Sequence, residues 1–335
     1  MKNKLGSLIA NVIKKVMEKP YLIYVLILCF FVISCNISPD EDDNGNGVKP
    51  PTPVYPDIDQ YPAWSPDGNV IVYYHTGVTS VEASGLSHVN RDSVGLGFIS
   101  PTGDNKRQFL KGNNRTPAWS PDGNWIAFVN GAQIYKIKTN GDSLTQLTFE
   151  GHNFYPTWSP DGQWVACARS VCEGDRTCGI WIINSNGEQN RFIAEYGMYP
   201  TWNPFKNEIL YIRRVVTEKG EVLGDSLWVF DVERNENMPL IFLTGVNDDN
   251  RYPKYSSDGL SIVFASNAQI WVMDSDGTNL LQLTQKGGNY PAWSPDGNYI
   301  VYTYNNYTEL DDENGRLWIM DSDGDNKRQL TFMNK

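Results

Sequence analysis

The sequence predicts an all-β protein, a six-bladed β-propeller of four-stranded antiparallel blades, and three observations carry that prediction. A seven-residue motif, Pro-x-Trp-Ser-Pro-Asp-Gly, stands at Pro62–Gly68, Pro117–Gly123, Pro156–Gly162 and Pro291–Gly297, with degenerate copies at Pro200–Lys206 and Pro253–Gly259. Six copies 38 to 55 residues apart mark a repeat architecture. Each copy is followed by a strand that is apolar at consecutive positions, and a strand buried on both faces needs a neighbouring sheet on each side. Composition agrees: 13% aromatics, 19 Pro and 29 Gly favour strands and turns over helices.

The chain begins with an address. Tyr21 to Ser34 is an apolar run of 14 residues behind Lys14, Lys15 and Lys19, short for a membrane span and suited to a signal-peptide core. Its end, Val32-Ile33-Ser34-Cys35, resembles the bacterial lipobox, in which the Cys is diacylated and becomes the new N-terminus. The expectation is a lipoprotein signal over 1–34 with Cys35 as the lipidation site, and residence in the cell envelope, as an outer-membrane lipoprotein facing the periplasm or the cell surface. Residues 35–60 are acidic (Asp40-Glu-Asp-Asp43), then Gly-rich, then Pro-rich, with little to pack, and are expected to form a disordered tether. The whole chain carries a net charge of -11, and no basic cluster follows the N-terminus, which argues against nucleic-acid binding.

From residue 61 to 335 the repeats read as blades. Strand A holds Pro-x-Trp. Ser-Pro-Asp-Gly is the A–B turn, because Pro presets φ, Ser and Asp bond local backbone and Gly suits the exit. Strand B follows, with Ile71, Ile126, Val165, Ile209, Ile262 and Ile300 in register, then Val72, Ala127, Ala166, Leu210, Val263 and Val301, then Tyr73, Phe128, Cys167, Tyr211, Phe264 and Tyr302. Strand C is a run such as Ile270-Trp-Val-Met or Leu317-Trp-Ile-Met, a second turn follows, and strand D is a run such as Leu281-Gln-Leu-Thr284. Radially repeated four-stranded sheets of this kind make a propeller. Counted this way, blade one holds the first strand A and blade six the last strand D, so no blade is shared between the two ends. The alternative is an added edge strand from Val54 to Ile58.

These residues also carry a family resemblance. PxWSPDG with its strand, followed by IWxMDxDG and QLT, resembles the repeat of the TolB-type propeller, a relative of the WD-repeat class, over all of the chain after residue 60. TolB has an α/β domain before its propeller, where this sequence has a signal and a tether. The resemblance implies a propeller that binds an envelope protein; fold alone does not fix function.

Propeller connectivity puts the A–B and C–D turns on one rim and the B–C and D–A loops on the other. Asp67, Asp122, Asp161, Asp258 and Asp296 ring the first rim, and turn chemistry accounts for them without a metal. The second rim has long B–C loops (75–94, 168–179, 213–226, 303–316), and variable loops on a rigid scaffold are where recognition concentrates. Tyr61, Tyr155, Tyr199, Tyr252 and Tyr290 each precede the strand-A Pro, with Thr116 in the sixth place. Two readings stay open for them: an aromatic mouth for a sugar or peptide with Arg115, Arg251 and His152 beside it, or rings packed between blades. His75, His88 and His152 share that rim but lack short ligand spacing, so no metal is expected. Cys172 and Cys178 are expected to form a disulfide, with Cys167–Cys178 the competing pair.

No Gly-x-Ser-x-Gly elbow, phosphate loop or zinc motif is present. The function expected is therefore a monomeric, lipid-anchored, non-enzymatic binding or scaffold protein of the envelope, without a cofactor. It would recognise a protein or a glycan through the B–C and D–A loops. The alternative is a carbohydrate-active lyase or hydrolase with its site at the channel mouth, like the propeller lyases that hold a metal with several His.

Overall fold

The structure, a computed structural model, describes residues 57–332 apart from 82–86, 171–177, 217–221, 244–249 and 306–312. The described residues contain 24 strands and no helix, arranged as six sheets of four. Blade one is β1 (Ile58–Trp64), β2 (Ile71–Val81), β3 (Ser87–Ile99) and β4 (Arg107–Lys111). Blade two is β5 (Arg115–Trp119), β6 (Trp125–Asn130), β7 (Gln133–Lys138) and β8 (Thr145–Gln146). Blade three is β9 (His152–Trp158), β10 (Trp164–Ser170), β11 (Gly179–Asn184) and β12 (Asn190–Glu195). Blade four is β13 (Gly197–Trp202), β14 (Glu208–Val216), β15 (Val222–Asp231) and β16 (Glu236–Leu243). Blade five is β17 (Asn250–Tyr255), β18 (Ser261–Ser266), β19 (Gln269–Asp274) and β20 (Leu281–Gln282). Blade six is β21 (Asn289–Trp293), β22 (Tyr299–Tyr304), β23 (Arg316–Asp321) and β24 (Arg328–Gln329).

Every sheet is an antiparallel meander in chain order, so each blade is built from one continuous stretch. Strand B is the middle of the core. Ile71, Ile126, Val165, Ile209, Ile262 and Ile300 are fully buried, and so are the residues after them, because each sheet packs against the next blade on both faces.

The turns behave as the motif requires. In blade two the Ser120 hydroxyl donates to Asp122 Oδ1 at 2.5 Å and accepts the Trp125 amide at 2.9 Å, while the Gly123 amide donates to the Ser120 carbonyl. Gly123 has φ 70°, the left-handed region that favours glycine. The same bonds recur around Ser65, Ser159, Ser256 and Ser294. The carboxylates of the first rim are thus engaged locally.

Strand D differs from expectation in length. In blades two, five and six it is only two residues, and Gln-Leu-Thr closes the edge by other means. Leu147, Leu283 and Leu330 are buried, and the hydroxyls of Thr148, Thr284 and Thr331 accept the strand-C amides of Ile134, Ile270 and Leu317 at 2.8 to 3.0 Å. A side-chain oxygen replaces a ladder carbonyl and pairs these three amides.

The ring closes without a shared blade, through residues 58–60, which are expected in the tether from sequence and instead belong to strand A of blade one. Strand A of blade one starts at Ile58 rather than at residue 61, and Ile58 joins that strand instead of forming a separate edge strand. The Asp59 amide donates to the Gly315 carbonyl of blade six at 2.6 Å, and the Thr303 hydroxyl donates to the Asp59 carbonyl at 3.1 Å. Gly315, at φ 72°, lies against Ile58, where an added Cβ would meet it at 3.3 Å. The Asp59 side chain is completely buried, with His75 Nδ1 at 2.7 Å, Lys106 Nζ at 3.9 Å and the fully buried Arg316 guanidinium at 3.9 Å. Burial alone would raise its pKa. The His75 hydrogen bond, the Lys106 and His75 charges and the bond to Thr331 outweigh that and hold the carboxyl below its ordinary value. Blades two, three and five carry Asn114, Asn153 and Asn250 at this position, all buried. A charged residue appears only where the two ends of the ring meet.

The expected N-terminal signal, Cys35 and residues 35–56 of the expected tether lie outside the described residues. Among the described residues, no helix is long and apolar enough to cross a membrane.

Candidate ligand-binding cavity

Strand A carries a bulge at one repeated step, seen as a register shift between Gln60 and Ala63, Arg115 and Ala118, Met198 and Thr201, Arg251 and Lys254, and Asn289 and Ala292. The residue before each strand-A Pro takes up the extra length in the left-handed region. Tyr61, Thr116, Tyr155, Tyr199, Tyr252 and Tyr290 have φ between 50° and 57°. Left-handed backbone costs a residue with a Cβ roughly 1–2 kcal/mol. Six such residues at equivalent positions form a ring of strain that the blades hold in place.

The bulge brings the five tyrosines together on the propeller axis. Ring centroids lie 4.1 Å apart for Tyr61 and Tyr290, 4.5 Å for Tyr252 with Tyr290 and with Tyr199, and 4.6 Å for Tyr155 and Tyr199. Tyr252 also meets Tyr61 and Tyr155 across the ring, at 6.3 and 5.7 Å. The hydroxyls of Tyr61 and Tyr290, and of Tyr252 with Tyr155 and Tyr290, are hydrogen-bonded to one another. Burial raises the phenol pKa of Tyr61, Tyr155, Tyr252 and Tyr290 above 10, so these rings stay neutral. Neither reading alone describes the geometry: the tyrosines pack on one another across the channel rather than between blades, with tilted or edge-on rings, and so plug it.

The plug leaves a cavity of about 280 Å³ on the other side, toward the A–B turns. Its floor is the tyrosine ring and Thr116; its wall is made by the strand-A prolines, Trp64, Trp119, Tyr255 and Trp293, and its outer edge by Pro66, Pro121 and Pro295. Loop recognition had been expected at the D–A and B–C rim, yet this cavity opens at the opposite one. The three indoles of the wall differ in their bonding. Trp119 donates to the Ala63 carbonyl of the preceding blade at 3.1 Å, whereas the buried indole N–H groups of Trp64 and Trp293 and the Thr116 hydroxyl have no partner.

One charged side chain lines the cavity, Lys254 of β17. Ala63, Ala118, Thr157, Thr201 and Ala292 occupy the equivalent place in the other blades. Among the described residues no carboxylate lies within ion-pair distance of Lys254. Desolvation lowers its pKa from 10.5 to about 8.

The other residues singled out from sequence lie away from this cavity. Arg115 is exposed, with Nε donating to Asn113 Oδ1 at 2.7 Å and its guanidinium over the Tyr74 ring. His152 is exposed at the start of β9, and Arg251 is half-buried beside the far side of the tyrosine ring. His75 is engaged at the ring closure, and the His88 side chain lies outside the described residues, as do much of the four long B–C loops. Among the described residues no group of three or more His, Cys, Asp and Glu side chains stands close enough to hold a metal ion. Cys167 is a free, buried thiol and Cys178 is disulfide-bonded, so the Cys167–Cys178 pair does not form. Cys172 lies outside the described residues.

Sequence reading missed Lys254 and Asp59. Both were visible as the single odd residue in a six-fold alignment: a lysine among Ala and Thr, an aspartate where three other blades carry asparagine.

Comparison with known proteins bears on the fold. Residues 87–156 match the family described as Dipeptidyl peptidase IV (DPP IV) N-terminal region. A curated relative, the uncharacterized peptidase YuxL of Bacillus subtilis, is 25% identical over 111 residues, 31% of this chain and 16% of that protein, so the match spans only a small part of its length. Among solved structures, a putative TolB from Agrobacterium tumefaciens is 23% identical with a TM-score of 0.57, covering 68% of this chain and 84% of that one. TolB from Acinetobacter baumannii is 18% identical with a TM-score of 0.54, covering 71% of this chain and 57% of that one. At these identities the likeness is one of fold.

Proposed function

We propose that this chain is a lipid-anchored, non-enzymatic binding protein of the cell envelope, and that its propeller engages a protein partner at the rim where the central cavity opens. One observation carries the reading: a pre-formed cavity on a rigid scaffold, closed below by tyrosines and lined by tryptophan and proline. Concave, largely apolar sites with few polar groups are where ligands bind, and aromatic residues dominate the energetics of protein interfaces. A glycan fits less well: its many hydroxyls would find only the Thr116 hydroxyl, the Trp64 and Trp293 indole N–H groups and Lys254, while Tyr61, Tyr155, Tyr252 and Tyr290 spend their hydroxyls on one another. The envelope address rests on the signal-like run of residues 21–34 and on Cys35, and the resemblance to TolB propellers supports the same setting.

Site-specific photo-cross-linking in intact cells tests the reading. A photoreactive residue at exposed Phe205, on the cavity rim, is expected to capture a discrete protein partner, and one at exposed His152, on the opposite rim, is not. Capture only from position 152 would overturn the assignment of the rim. Metabolic labelling with an alkyne fatty acid, expected to be lost on Cys35→Ser, checks the anchor.

A further inference from the structure

The repeat is its own control, and the cavity rim departs from it in one sector. In blades one, two, three, five and six the A–B turn carries an Asp; blade four has exposed Phe205 in that place and Lys206 where the others have Gly. After the turn glycine, blades one, two, three and six carry Asn or Gln, and blade five has exposed Leu260. Blade five also replaces the motif tryptophan with Tyr255 and the preceding small residue with Lys254. These changes are contiguous. Phe205 lies against Gly259, whose Cβ would meet its ring at 3.2 Å, and the Tyr255 hydroxyl bonds Asn203 of the blade-four turn. The path runs from exposed apolar surface at the rim, past Tyr255, to Lys254 in the cavity.

The fold does not ask for any of these residues, since its other copies form without them. Exposed Phe205 and Leu260 stand on adjoining turns, Phe205 lying against Gly259, the residue before Leu260, and exposed apolar side chains gathered in one sector mark an interaction site. Lys254 is half-buried on the cavity lining, and among the described residues no carboxylate stands within ion-pair distance to balance its charge. Two acidic groups of this sector are already engaged: Asp258 accepts from the Ser256 hydroxyl at 2.5 Å, and Glu208 pairs with Lys206 at 3.8 Å. Of the titratable groups on the cavity lining, all but Lys254 are tyrosines. The ring of A–B turn carboxylates is interrupted at blade four, where Phe205 takes the place of the aspartate.

Building on the binding reading above, we infer that the blade-four and blade-five sector of this rim docks a protein segment carrying a carboxylate beside an apolar side chain. The carboxylate pairs with Lys254 inside the cavity, and the apolar side chain covers Phe205 and Leu260. Charge complementarity selects the partner, and the acidic remainder of the rim disfavours other registers.

A displayed heptapeptide library selected on the full chain in detergent tests this directly. Peptides that place Asp or Glu next to Phe, Leu or Trp are expected to be enriched, and their affinity is expected to fall at least 10-fold on Lys254→Thr and about 5-fold on Phe205→Asp or Leu260→Asn. Each variant restores a residue that other blades carry, so the fold is retained, and a thermal melt verifies this. Lys254→Arg is expected to keep binding within a few fold. Lack of enrichment, enrichment of neutral or basic peptides, or undiminished binding to Lys254→Thr would each overturn the inference. The two readings fail separately: a partner cross-linked from position 205 whose capture is indifferent to Lys254→Thr leaves the rim assignment standing and removes the acidic-segment inference.

Discussion

Replacing Lys254 by Thr should stabilise the propeller at neutral pH, and the gain should vanish in alkali. The threonine copies blades three and four, so the backbone and strand pairing are preserved. With a pKa of about 8 folded against 10.5 in the unfolded chain, the protonated lysine disfavours the folded state by up to roughly 3 kcal/mol below pH 8. Partial solvent access and some loss of stem packing reduce this to about 1–3 kcal/mol net, or about 2–12 °C in melting temperature for a domain of this size. Between pH 8 and 10.5 the unfolded chain still holds the proton that the folded chain has released. Wild-type stability therefore rises through that window relative to Lys254→Thr. Urea unfolding of both proteins at pH 7, 8.5 and 10 measures the difference. A variant less stable than wild type at pH 7, or a gap that does not change with pH, would refute the claim that Lys254 is an uncompensated charge. Retaining a destabilising lysine is the expected signature of a residue kept for binding.

Three further outcomes follow from the geometry. Asp59→Asn should destabilise by about 3 kcal/mol, because Arg316 and His75 lose their carboxylate partner at the ring closure, and calorimetry at pH 7 reads this. The Asp59 carboxyl titrates below its ordinary value of 3.8, so its contribution is complete above about pH 4 and lost as pH falls through the folded pKa. An acid titration of wild type should fall more steeply there than that of Asp59→Asn. Tyr252→Ala removes the ring that touches all four other plug tyrosines and should cost about 3–5 kcal/mol, with Tyr252→Phe near 1 kcal/mol, measured by urea denaturation. Thr284→Val leaves the Ile270 amide without an acceptor at the strand-D edge and should lose about 1–3 kcal/mol, with earlier amide exchange in β19.

Much of this was legible in the sequence because a propeller blade is local. Ser-Pro-Asp-Gly closes its own bonds within a few residues, and strand B declares its double burial by consecutive apolar residues. Strand D was legible in place but not in form, since the threonine hydroxyl that ends it serves an amide 14 residues earlier. The tyrosines were read correctly as bordering the channel, while their role as mouth or packing stayed open. That choice depends on the distance across the ring, which no single repeat encodes.

The sequence by itself determined the class of fold, the number of blades and the chemistry of their turns, because these rest on interactions within one repeat or between identical neighbours. Only the tertiary structure decided how the ring closes, which rim holds the cavity and what its single cation faces. Those features arise where blades that differ are brought together: Asp59 against Arg316, Phe205 against Gly259, five tyrosines converging on one axis. A residue's departure from the repeat is visible in the chain, but its meaning is set by neighbours that only closure of the ring supplies.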